Sequence, residues 1–152
     1  MLRRLRQWRQ LPPHERYVLL LLMTLQPVLS ILLRVFGYRW TLARVEALGG
    51  QEQKPGRTAT ATEIEDAERL AQLASIAGAR GPVVTSCLRQ AIAVYGLLRR
   101  RGLRPHIRFG VDRLGANPDM HAWVELEGVP LAQPNLRHRV LEPTAMIADT
   151  SQ

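Results

Sequence analysis

Cys87 is the one cysteine in 152 residues, and His14, His106, His121 and His138 are the only histidines that could act as its base. A thiol attacks as the thiolate, and at an ordinary pKa of ~8.5 only about 3% of it is ionised at pH 7. A helix N-terminus favours the anion by about 1 kcal/mol. A nearby imidazolium supplies more, up to ~4 kcal/mol at about 4 Å in an effective dielectric of about 20. A cysteine at a helix start with a histidine beside it is therefore a candidate for acyl transfer through a covalent intermediate. The competing reading is a small buried side chain with no chemistry, the usual fate of a lone cysteine. An intramolecular disulfide and a cysteine-rich zinc site are both excluded by the count.

The elements around Cys87 bear on the choice and leave both readings open. Thr85 or Ser86 can cap a helix whose Leu88, Ala91, Ile92, Tyr95 and Leu98 share one face. Arg99, Arg100 and Arg101 suit its negative end, and Gly102 suits a left-handed stop. The pattern then changes to period two. Residues 106–112 (HIRFGVD) read as a strand, 113–119 (RLGANPD) as a hairpin loop and 120–127 (MHAWVELE) as a second strand. Gly128 turns the chain into a third strand over Val129–Ala132.

A helix followed by an antiparallel meander makes an α+β layer, with the Cys87 helix packed on the sheet. His121 opens the second strand and so lies on that sheet; a strand-edge histidine bonded to backbone is the alternative. His106 opens the first strand and stays a second candidate. His14 belongs to the N-terminal entry, and His138 sits between two arginines as solvated surface. Trp123 reads as core or cleft wall, and Asp112 and Asp119 as turn residues.

Four segments follow from composition. Residues 1–48 are an N-terminal helical segment, 49–62 a linker, 63–143 the core and 144–152 a tail. In the first segment, residues 11–16 (LPPHER) look like a helix entry, and Tyr17–Leu33 is apolar, with Pro27 expected to kink or break it. Seventeen residues is at the lower edge of a membrane span, and no signal-peptide cleavage pattern follows. Core, partner surface and membrane contact all remain open for it. Thr62 and Glu65 match a capping box for a helix that carries Ile64, Leu70 and Ala74 and ends near Gly78.

The net charge is +8 and the pI near 11.1, which suits an acidic partner or an anionic membrane. Aromatic residues do not interleave with the basic ones, so no nucleic-acid platform is formed. No motif for a metal or cofactor is found.

Ser86-Cys87-Leu88-Arg89, the helix ending at Gly102, the strand Ile107–Val111 and residues 121–128 (HAWVELEG) together resemble the transglutaminase-like lasso-peptide maturation peptidases. Residues 11–16 and the apolar run also look like that family's N-terminal part. The resemblance implies a papain-like or transglutaminase-like fold and a thiol peptidase with Cys87 as nucleophile and His121 as base. It implies, too, a precursor-peptide substrate, a separate leader-recognition protein and a lasso cyclase, all cytoplasmic, with membrane association open through Tyr17–Leu33. The family's third catalytic residue is an aspartate twelve positions after the histidine, where this chain has Gln133. Its amide oxygen could accept the imidazole N–H, as the asparagine of papain-type triads does, but adds no charge. Glu125, Glu127 and Glu142 are other acids that could take the aspartate's place, although Glu125 and Glu127 lie far along the strand. On the resemblance, either Gln133 orients His121, or catalysis is weakened, or the chain is a scaffold.

Overall fold

The computed structural model describes residues 11–49, 58–80, 86–112, 119–133 and 139–140. They form helices α1 (Pro13–Leu48), α2 (Ala61–Arg80) and α3 (Cys87–Arg100), followed by strands β1 (Pro105–Asp112), β2 (Asp119–Leu126), β3 (Val129–Pro130) and β4 (Arg139–Val140). The strands make one antiparallel sheet in the order β3-β2-β1-β4. The α+β architecture expected from the change of period is thus the one observed.

α3 is the central element and packs against α1, α2, β1 and β2. Its Ala91, Ile92, Val94, Tyr95 and Leu98 are buried, as the periodicity required. They share one apolar core with Leu19, Leu22 and Leu29 of α1, Leu70, Leu73 and Ala77 of α2, and Ala122, Val124 and Leu126 of β2. The helix ends in two nested backbone bonds: Gly102 N–H donates to Arg99 at 2.9 Å and Leu103 N–H to Leu98 at 3.2 Å. Gly102 sits at φ 77, and Leu98 and Leu103 are both buried, which completes the stop motif.

Three local expectations are corrected. First, Pro27 does not interrupt α1. The non-helical residue is Gly37 (φ 75, ψ 177), a conformation that side chains with a Cβ resist. Leu22, Gln26 and Leu29 hold the helix against the core on both sides of Pro27, whereas around Gly37 it is the Thr41 hydroxyl, donating to Gly37 O at 2.8 Å, that ties the two halves. Second, the capping box falls two residues earlier than Thr62–Glu65. Thr60 N–H donates to Glu63 Oε2 at 2.9 Å, and Glu63 N–H to Thr60 Oγ1 at 3.3 Å. The repeat TATATEIE holds both registers, and the helix takes the first and runs on to Arg80. Third, β3 stops at Pro130, because Ala132 turns to φ 53 and leaves the ladder after one further bond, Leu131 N–H to Val124 O at 2.9 Å. The 113–118 loop and the 144–152 tail lie outside the described residues.

α1 and α3 meet closely. A Cβ at Gly96 would stand 2.8 Å from Val45 Cγ1, and Tyr95 donates its hydroxyl to Glu46 Oε1 at 2.8 Å. Burial, and then the bond to Glu46, push the Tyr95 hydroxyl up to about 12, so it remains the donor throughout the physiological range. Because Val45 is branched and stiff, Gly96→Leu is expected to cost about 1–3 kcal/mol of stability. Val45→Ala in the same chain should recover part of that loss in urea denaturation midpoints.

Candidate active site

Cys87 is the first residue of α3, with Ser86 in extended conformation at the cap position. The carbonyl of Ser86 accepts Arg89 N–H at 3.1 Å and Gln90 N–H at 3.3 Å. The Ser86 hydroxyl, expected to cap the helix, does not do so; it lies 3.4 Å from Arg89 Nε. Arg89 also donates to Ser30 Oγ of α1 at 2.8 Å. The Cys-Leu-x-Arg start is therefore pinned to α1 one turn into the helix, and this fixes the position of the thiol.

Cys87, His121 and Gln133 line one cleft of about 50 Å³, walled by Ala71, Ala74 and Ser75 of α2, Gln90, Ala91 and Val94 of α3, and Trp123 of β2. Cys87 and His121 are both partly exposed. A larger cavity of about 450 Å³ between α1, α2 and the end of α3 is lined by His14, Glu15, Glu63, Asp66, Arg69 and Arg101 among others, with no cysteine, serine or threonine among the described residues of its wall.

His121 Nε2 lies 3.0 Å from Gln133 Oε1. An amide oxygen can only accept, so in this contact Nε2 is the donor and, in the neutral ring, Nδ1 is the basic nitrogen. Trp123 stacks parallel to the imidazole, with centroids 6.1 Å apart and planes 20° apart. Its indole N–H donates to Glu125 Oε1 at 3.2 Å, and Arg108 Nε donates to Glu125 Oε2 at 2.8 Å. Alternation puts His121, Trp123 and Glu125 on one face of β2 and sends Ala122, Val124 and Leu126 into the core.

The other candidates lie elsewhere. His14 lines the larger cavity, and exposed His106 pairs with Glu125 in the ladder; neither reaches the cleft. Glu125 is held by Trp123 and Arg108, and Glu127 accepts Ala59 N–H at 3.0 Å, so neither stands in for the missing aspartate at His121. His138 and Glu142 lie outside the described residues. Sequence reasoning missed the Arg108–Glu125–Trp123 brace, although the hairpin register, which sets Arg108 opposite Trp123, was the signal that could have found it.

A sequence model of the transglutaminase-like superfamily matches residues 29–145. The chain belongs to the transglutaminase-like superfamily. Searches of curated proteins and of solved structures find no match. The matched span starts inside α1 and includes Cys87, His121 and Gln133. The superfamily's fold serves cysteine-dependent peptidases and acyltransferases, which is the level of function that the match supports.

In nitrogen-resolved NMR, His121 of this transglutaminase-like chain should show a protonated Nε2 and a bare Nδ1 when neutral. Gln133→Leu keeps the volume and removes the acceptor. It should shift the population toward the Nδ1–H form, and an unchanged tautomer would show that Gln133 does not set it.

Proposed function

We propose that the protein is a thiol peptidase that cleaves a leader from a ribosomally made lasso-peptide precursor. The observation that carries the chemistry is the His121 Nε2 to Gln133 Oε1 contact at 3.0 Å in the cleft that Cys87 also lines. Nδ1 of His121 takes the thiol proton, and the Cys87 thiolate attacks the scissile carbonyl. The Cys87 backbone N–H, in the first turn of α3, supports the developing oxyanion. The imidazolium returns the proton to the leaving amine, and water then releases the acyl group from sulfur by the reverse steps. Gln133 orients the ring but contributes no negative charge, so the imidazolium relies on the adjacent indole face and on solvent.

The substrate assignment rests on the resemblance of residues 86–89 and 121–128 to the lasso-peptide maturation peptidases. The partners it implies are a separate leader-recognition protein, which presents the precursor, and a lasso cyclase, which takes the product. With precursor and leader-recognition protein supplied, the chain should release the leader as a free acid detectable by mass. Cys87→Ala and His121→Ala should each abolish release. A product joined to an added amine would point instead to acyl transfer, and activity that survives Cys87→Ala would support a scaffold.

Membrane association is a second part of the reading, and it rests on α1. The helix is long and apolar enough to cross a membrane, yet Leu19, Leu22 and Leu29 pack it against the fold. Its other side exposes Tyr17, Leu20, Val28, Ile31 and Val35 in a stripe at helical spacing. Exposed Arg34, Arg39 and Arg44 follow, and Arg44 lies over Trp40, which stacks on Phe36. Residues 1–48 contain eight arginines against two glutamates. We propose that this stripe rests in the plane of an anionic membrane surface, where each nearby arginine contributes about 1 kcal/mol. The full chain should sediment with phosphatidylglycerol vesicles, far less with neutral ones or in high salt, and Ile31→Asp with Val35→Asp should free it. If the chain stays in the supernatant as a dimer that those changes split, the face belongs to a second copy.

A further inference from the structure

The bond between Gln133 and His121 is only as exact as the turn that delivers Gln133. That turn is unfavourable by itself. Ala132, the residue just before Gln133, sits at φ 53, a left-handed conformation that costs a residue with a Cβ about 1–2 kcal/mol. Something must hold it. The Ala132 N–H donates to Glu68 Oε2 of α2 at 2.7 Å, the shortest contact in the neighbourhood and one between residues 64 apart in the chain. Glu68 is itself braced: Gln72 Nε2 donates to its other oxygen at 3.2 Å, and Arg69 Nη1 donates to Gln72 Oε1 at 3.3 Å. Arg69 in turn holds Glu15 of α1 by two bonds of 2.8 Å, which keep the Glu15 carboxyl below its usual range.

We propose that Glu68 is a positioning residue of the active site, acting through Ala132 and Gln133 to hold the His121 ring. The proposal rests on the peptidase reading given above. A carboxylate suits the place because a charge-assisted bond to a backbone N–H is stronger than a neutral one and needs no proton from the carboxyl. The placement fits the substitution at position 133 as well. A neutral amide orients His121 by geometry alone, with no ion pair to draw the ring in, so the backbone beneath it has to be held from outside.

The test uses the full chain with precursor and leader-recognition protein, and compares Glu68→Ala, Glu68→Gln, Gln133→Leu and the double variant Glu68→Ala with Gln133→Leu. Glu68→Ala should lower kcat by about 10- to 100-fold with little change in KM, the size expected for a small misplacement of a reacting group. It should also broaden or move the His121 Nε2–H resonance in the folded protein. Glu68→Gln, whose amide oxygen can still accept the Ala132 N–H, should keep most of both. In the Gln133→Leu background Glu68→Ala should produce no further fall, because the pathway through which it acts is gone. A full additional fall there, or an unmoved Nε2–H resonance in Glu68→Ala, would overturn the proposal. If Glu68→Ala does not fold, hydrogen exchange of the wild-type Ala132 amide decides the matter: slow exchange supports the strut, and free exchange overturns it. A wild-type chain that cleaves nothing, with the resonance still responding to Glu68, would sink the peptidase reading and leave the strut standing.

Discussion

The burial of one face of α3 decides where every other part of the site can be. Ile92, Leu98 and their neighbours are almost wholly withdrawn from water, and each large apolar side chain contributes about 1.5–3 kcal/mol when buried. They meet α1 and α2 on one side and the sheet on the other. The helix therefore cannot slide or turn without opening the core, and its first residue, Cys87, is fixed in space. Arg89 strengthens this by tying the first turn to Ser30 of α1. The cysteine placed in this way shares its cleft with a histidine of the adjoining strand.

The remainder of the site is a set of orientations laid on that fixed point. The ladder of β2 with β1 puts His121 at the cleft, and Trp123, anchored through Glu125 to Arg108, lies parallel to the imidazole. Gln133 reaches the far nitrogen across a turn whose backbone is held by a carboxylate from α2. The same run of hydrogen bonds continues through Gln72 and Arg69 to Glu15, at the wall of the larger cavity. The orientation of the imidazole is thus linked physically to the packing of α1 on α2. In a site with an aspartate, attraction between charges would do part of this work; here rigidity has to do it.

α1 has two unlike faces. Its inner face belongs to the core and its outer face carries an apolar stripe beside exposed Arg34, Arg39 and Arg44. Gly37 lets the second half of the helix change direction, and Thr41 closes the break. The second half can then lie close along α3, where the absence of a side chain at Gly96 makes room for Val45.

Much of this was legible in the order of residues. The two periodicities marked α3 and the hairpin, and Arg99 to Gly102 marked the helix end, because burial patterns and caps are local properties read from near neighbours. Residues 86–89 and 121–128, in that order around the helix end at Gly102, carried the likeness to a cysteine-peptidase family, from which Gln133 departs. Other features could not be read in this way. The choice between Thr60 and Thr62 as cap, the unbroken passage of the helix through Pro27 and the early end of β3 were decided by packing from distant segments, which overrode equal or contrary local preferences. The contact between Gln133 and His121 depends on Glu68, some sixty residues earlier, and on a left-handed alanine that local propensity disfavours. By itself the sequence determined which residues could react and which elements would carry them; the tertiary structure alone decided that Gln133 meets His121, because that is a through-space contact whose two ends are brought together only when the core closes.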